Sequence, residues 1–302
     1  MNSKVILYLA LGMSAFGFII MTTGFKLGAK PVISIGNSKV TENKTSEECG
    51  DLVTGSMELS AFDELDVDIA SIGAYLVQGD SYKLEYQAYE ENVPKVTESG
   101  HKLTIKQPSH KSFVFGFNLL PCEDEQYYRI TVPKDAGIID VDMDAASGVL
   151  SVDGVNIKGK LDIASGLLEV NNVESEKLTC SAASGKIDLK DIKAEKLTLD
   201  LASGLMNVTG CTARDLDTEL SSGTVTIDEM TVDNADFDIT SGKVSLNLVG
   251  NKDDYSYDLD ATSGSIKVDG ASTEKKFKAD GNTDKKIKAD LTSGSFDVTF
   301  GE

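Results

Sequence analysis

Apolar and polar residues alternate through most of this chain, and a Ser-Gly pair interrupts the alternation at a nearly constant interval. The pair stands at Ser147-Gly148, Ser165-Gly166, Ser184-Gly185, Ser203-Gly204, Ser222-Gly223, Ser241-Gly242, Ser263-Gly264 and Ser293-Gly294. Successive serines are 18, 19, 19, 19, 19, 22 and 30 residues apart. Counted from each glycine, apolar residues fall at +2 and +4 (Leu150 and Val152, Leu168 and Val170, Met206 and Val208) and again at +7 (Val155, Val173, Ile192, Cys211, Met230). A second run occupies +12, +14 and +16, as in Leu197, Leu199 and Leu201, and the next serine follows at +18.

A period of two is the signature of a strand with one face in and one face out, and no stretch keeps the spacing of an amphipathic helix. Strict alternation would carry the inward parity from serine to +1, yet the apolar set resumes at +2. The parity therefore slips at each glycine, which predicts a corner or bulge that excludes a Cβ. The residue before each serine is small (Ala146, Ala164, Ala183, Ala202, Ser221, Thr240, Thr262, Thr292), which predicts a crowded corner. Two architectures accommodate such strands. An antiparallel sandwich would place hairpin signals at every junction, but Asp153-Gly154, Asp269-Gly270 and Asp280-Gly281 recur only sporadically. Column-wise identity instead predicts an all-β fold, a single-domain parallel β-solenoid with about 19 residues per coil.

The two ends differ from the repeats. Residues 5–25 are uncharged and mostly apolar between Lys4 and Lys26, long enough to cross a bilayer as a helix. A cleaved signal peptide is the alternative. The expected organisation is an N-terminal transmembrane anchor or signal segment over 1–25 and a polar tether over 26–50. An irregular N-terminal cap with the first coils follows over 51–135, then the Ser-Gly repeat solenoid over 136–302. The anchor makes the membrane a partner and places the C-terminal domain outside it, because large domains translocate largely regardless of charge. In the cap region Leu65–Ser71 reads like a repeat entering its serine, while 110–125, with Phe113, Phe115, Phe117 and Leu119, is irregular and aromatic-rich.

The 302 residues carry a formal charge of −20, with Arg129 and Arg214 as the only arginines. That balance excludes nucleic acid as a partner, since phosphate contacts are made mostly by Lys and Arg. Cys180 and Cys211 stand at inward positions and read as small core residues. Cys49 and Cys122 lie outside the repeats and could pair in an oxidising compartment.

The segments Phe62–Ile69, Gly79–Leu84 and Ile130–Pro133, followed by serial Ala-Ser-Gly turns, resemble the bacterial "putative adhesin" β-strand-repeat family of unknown function, which includes LiaG-like envelope proteins. The resemblance covers residues 55–302. It implies a β-solenoid at the bacterial envelope and brings no catalytic residues.

Chemistry is sparse. His101 and His110 have no metal-ligand spacing around them, and His101 reads as a turn residue. The repeated serines lie outside any Gly-x-Ser-x-Gly elbow, and equivalent serines cannot each have a dedicated base. No catalytic, cofactor-binding or metal-binding residue is assigned, and neither a cofactor nor a small-molecule substrate is indicated. One column stands out: three residues before each serine come Asp144, Asp162, Ser181, Asp200, Glu219, Asp238, Asp260 and Asp290. In a solenoid these stack about 4.8 Å apart. The column reads as a solvated stripe, or as a ladder collecting Ca²⁺ or a basic peptide. The long last interval carries Lys275, Lys276, Lys278, Lys285, Lys286 and Lys288. These predict protection of an open edge on the final coil, or contact with anionic lipids or wall polymers.

The expected function is that of a non-enzymatic, membrane-anchored, extracytoplasmic adhesin-like binding or structural module. Its expected partner is an envelope protein or a cell-wall polymer. The rival readings are an envelope-stress sensor or accessory subunit that regulates a membrane partner, and a carbohydrate-active β-helix enzyme.

Overall fold

The computed structural model describes residues 50–108 and 124–301. The segment 1–25, most of the tether, the Cys49–Cys122 pair, His110 and Phe113–Leu119 lie outside the described residues. Among the described residues no helix is long and apolar enough to cross a membrane.

The chain is all-β. In order come β1 (Leu52–Glu58), β2 (Glu64–Ile69), β3 (Gly73–Gly79), β4 (Lys83–Tyr89), β5 (Lys95–Ser99), β6 (Lys102–Lys106), β7 (Tyr127–Pro133), β8 (Ile139–Ala145) and β9 (Val149–Asp153). The long β10 (Ile157–Thr209) and β11 (Thr212–Val249) wind through several repeats without a break. Then follow β12 (Tyr255–Ala261), β13 (Ser265–Val268), β14 (Ala271–Ser272), β15 (Lys276–Ala279) and β16 (Lys285–Gly301). Pairing between repeats is parallel and joins equivalent residues: Leu197 to Leu216, Ser203 to Ser222, Gly204 to Gly223. A sandwich would require hairpins here, so the pairing selects the solenoid-like winding.

The core runs along the axis as columns of like residues. Leu199 and Leu201 from one repeat and Met206 and Val208 from the next run are all buried, as are Cys180 and Cys211. Thr218 sits in the same column as Leu199. It is 2% exposed and its Oγ1 has no hydrogen-bond partner. An unsatisfied buried hydroxyl is costly and valine has nearly the same shape, so Thr218→Val should raise stability by about 1 kcal/mol. Urea denaturation of the described domain measures the gain, and a loss would mean that the hydroxyl is satisfied.

The parity slip at the glycines is a positive-φ corner, with φ of +128° at Gly204 and comparable values at its equivalents. A Cβ on Gly204 would overlap the carbonyl group of Gly185 directly beneath it. The crowding therefore lies in the stacked glycine backbones. The small residues before the serines are exposed, at Ala146, Ala164, Ala183 and Ala202. The expectation that this column marks the crowded corner is corrected accordingly. A second left-handed corner lies six residues after the glycine, where the backbone takes φ of +70° at Gly154, +55° at Asn172, +54° at Asp191 and +53° at Glu229. Mixed residue types hide this corner in the sequence.

The order of coils in the stack differs from their order along the chain. β16 pairs with β11 on one side, from Asn234–Lys286 to Val249–Gly301. On its other side it pairs with β12 and β13. The last segment of the chain is thus inserted one coil in from the end. This corrects the expectation that the final coil has an open side. The outer strands at that end are β15, antiparallel to β12, and β14, antiparallel to β13. The lysines divide accordingly: Lys276 and Lys278 line the edge strand, and Lys285, Lys286 and Lys288 lie on the inserted one.

The other end repeats the device. β2 lies between β6 and β8, and β3 between β7 and β9. The antiparallel strands β5 and β4 cover β6 and β7, with β1 outside β4. At this end the Gln107 side chain replaces a missing rung of backbone. Its Oε1 accepts from the Ala70 and Ser71 amides at 2.7 and 3.1 Å, and its Nε2 donates to Asn92 Oδ1 at 3.1 Å.

Candidate recognition face

The strand that enters each Ser-Gly corner points alternate side chains outward, and parallel stacking sets those side chains in columns. The column three residues before the serine is almost wholly anionic. Asp68 stacks on Asp144, and Asp144 on Asp162. Ser181 follows, its Oγ 3.4 Å from Asp200 Oδ2. Asp200 then stacks on Glu219, and Asp238 lies one repeat beyond on β11. The inserted strand places Asp290 beside Asp238, and Asp260 comes last. The chain order Asp260, Asp290 is therefore reversed in space.

A lysine closes each end of this ladder. Lys106 is opposite Asp68 with its ammonium 3.8 Å from the carboxylate, and Lys276 is opposite Asp260 at 2.7 Å. Asp290 pairs with Lys288 at 2.9 Å. Among the described residues Asp144, Asp162, Glu219 and Asp238 have no lysine or arginine within ion-pairing distance.

Neighbouring columns are neutralised differently. Asn207 donates to Asp188 at 2.8 Å, Asn234 to Asp215 and Asn247 to Asp228 at 2.9 Å, each across one repeat. Arg214 pairs with Asp215 and Glu195 at 3.0 Å, Lys278 with Asp258 at 3.0 Å, and Lys196 with Asp217. In the ladder, by contrast, Asp144 faces Asp162 with neither carboxylate paired to a lysine or arginine among the described residues.

Electrostatics follow the geometry. Two charges at strand spacing repel by about 0.9 kcal/mol in water, and more beside a low-dielectric wall. The Asp144 carboxyl titrates above its ordinary range, chiefly through burial and then through Asp142, Asp162 and Asp68. Asp200 is raised too, by burial first and Glu219 second, with the Ser181 hydrogen bond opposing. Asp215, held by Asn234 and Arg214, moves the other way.

A carboxyl raised in the folded state is protonated there more readily than in the unfolded chain, so its ionisation costs stability. The cost is complete above the raised value. It shrinks as pH falls from that value towards the ordinary carboxylate range, and is gone below it. Asp200→Asn should therefore be more stable than the parent at neutral pH and low salt, with no advantage in acid. In Glu219→Gln, NMR titration should find Asp200 moved back towards its usual range. A stability gain from Asp200→Asn that persists at low pH, or an unmoved Asp200, would refute the coupling.

Beside the first rungs runs an open groove of about 530 Å³, lined by Asp68, Asp144 and Asp162 on one side and by Ala70, Ala146 and Ala164 on the other. The exposed small residues thus form the floor of a shallow channel along the carboxylates. A second open groove, of about 280 Å³, is lined by Lys196, Lys286 and Lys288 with Asp215, Asp217 and Asp236. No group of three or more His, Cys, Asp or Glu among the described residues is arranged to hold a metal ion. His101 lies in the turn between β5 and β6. Among the described residues no histidine or carboxylate is hydrogen-bonded to a repeated serine, and Ser147 Oγ donates to the Ala70 carbonyl at 3.1 Å. Sequence reasoning found the column. It missed the rung at Asp68 and both closing lysines, because β2, β6 and β15 reach the ladder by pairings that do not follow the Ser-Gly repeat.

This is the architecture of an all-β, solenoid-like repeat domain whose recurring residues serve the winding of the chain. Residues 62–299 match the Toastrack DUF4097 family, and the chain belongs to it. No curated protein matches the chain. Among solved structures, a "putative adhesin" of Bacteroides fragilis is similar at 13% identity, with a TM-score of 0.51 over 83% of this chain and 96% of that one. A "putative lipid binding protein" of Parabacteroides distasonis is 18% identical, with a TM-score of 0.43 over 84% and 98% of the two chains. At 13% identity the likeness to the Bacteroides fragilis protein is one of fold.

Proposed function

We propose that the protein is a non-enzymatic, adhesin-like binding or structural module of the bacterial cell envelope, with about 19 residues per coil. Residues 1–25 hold it in the membrane and 26–50 tether the domain on the outer side. The observation that carries this reading is the carboxylate ladder. A rigid scaffold holds Asp144, Asp162, Glu219 and Asp238 in one column with no lysine or arginine partner among the described residues, at an energetic cost that an external cation-bearing partner would relieve. The fitting partner is an extended basic segment of an envelope protein, because a chain of net charge −20 repels polyanionic wall polymers.

Crosslinking in intact envelopes followed by affinity capture tests the reading. The parent protein is compared with a variant carrying Asp144→Asn, Asp162→Asn and Glu219→Gln. The expected result is capture of a basic protein by the parent in a salt-sensitive manner and its loss from the variant. Equal capture by both, or capture of wall polymer alone, overturns it. Retention of the chain in carbonate-washed membranes, with an intact N-terminus, is the expected result for the anchor. A soluble product beginning near Lys30 would contradict it.

A further inference from the structure

We infer that β16 is an exchangeable strand, and that the slot it fills is a binding site for the β16 of a second copy of this chain. β11 and the β12–β13 coil do not pair with each other; each pairs with β16. The two coils are therefore two strand spacings apart, about 9.6 Å. The connection that holds them at this distance is the short stretch 250–254, which steps over the inserted strand. Every residue of that frame is made before Lys285. Until β16 arrives, the slot presents two facing parallel edges with unpaired backbone groups, and such edges are templates for a further strand.

The slot also reads side chains. Ile287, Ala289, Leu291, Phe296 and Val298 all enter the core, and the Phe296 ring lies 5.1 Å from that of Phe237. Lys288 adds a charge signature: its ammonium lies 3.1 Å from Asp236 on β11, while within β16 itself it pairs with Asp290. The positive-φ corner at Gly294 must stack on Gly242. A strand that satisfies all of these is a copy of 285–301.

What decides between the protein's own strand and another's is the hinge 280–284. It lies against the connection it must pass: the Asn282 amide donates to the Asp253 carbonyl at 2.7 Å, and Thr283 Oγ1 donates to the Asp254 carbonyl at 2.7 Å. Gly281 runs so close to the Tyr255 and Ser256 backbone that a Cβ would overlap it. A tether this short gives the protein's own strand an effective concentration in the millimolar range, so the closed monomer prevails in dilute solution. Shortening the tether removes that advantage and leaves the slot of a neighbouring copy as the accessible one.

The test uses the complete chain in detergent, with Asn282 and Thr283 deleted. Light scattering should find a doubled protein mass relative to the parent, with the parent's cooperative unfolding. Reinsertion of a flexible Gly-Ser segment after Asp280 should return the monomer. A hinge-deleted chain that remains a folded monomer overturns the proposal. If the deletion fails to fold, a second measurement decides. Parent chains bearing two different affinity tags are unfolded and refolded together at high concentration. Mixed dimers should form on joint refolding and not on mixing the folded proteins. Their absence up to millimolar chain concentration refutes strand exchange.

Discussion

Gly204→Val is expected to lower the unfolding free energy of the domain by about 3 kcal/mol or more. Two costs add. The backbone at Gly204 has φ of +128°, a region that β-branched residues scarcely enter. Its Cβ would also collide with the Gly185 carbonyl, which is fixed in place by stacking on the coil beneath. The Gly204 coil cannot retreat without disturbing the parallel rungs from Lys193–Thr212 to Thr209–Asp228 on its other side. Urea denaturation should show a fall in midpoint, and Gly204→Ala should fall in between. An unchanged midpoint for valine would mean that the corner is not as described.

Phe296→Ala should cost about 3–5 kcal/mol, the usual range for emptying a fully buried phenylalanine site. In a stack whose last segment lay on the outside, this substitution would fray one terminal coil. Here β16 is the layer through which β12 and β13 join the body of the protein. Hydrogen exchange should therefore show loss of protection in β12 and β13 as well as in β16, with little change at β10. Loss confined to residues 285–301 would contradict the insertion.

The two corners, the ladder and the chain ends were legible to different degrees, and the reasons are physical. The Ser-Gly corner tolerates only glycine and so marks itself in every repeat. The second corner holds Asn172, Asp191 and Glu229 as well as Gly154; Asn and Asp reach the left-handed region as single residues, Glu229 does so at a greater cost, and the corner leaves no uniform mark. The ladder was visible as a column because strand parity places all its members outward. Its spatial order was not, since no local signal distinguishes a segment that stacks outside its predecessor from one that returns and slips inside it. The small residues before the serines were read as crowded because small size usually means close packing. They are exposed, and their size opens the channel beside Asp68, Asp144 and Asp162.

The inserted coils have an evolutionary consequence. Each end of the shaft is closed by a unit that carries its own inner layer, β2–β3 at one end and β16 at the other. The middle repeats meet only copies of themselves, glycine upon glycine. A gene duplication of one whole repeat would therefore lengthen the shaft by about 4.8 Å and leave both closures unchanged. Length is free to drift in this design while the closures at the ends are not, so the span of the stack becomes a heritable quantity adjustable in unit steps.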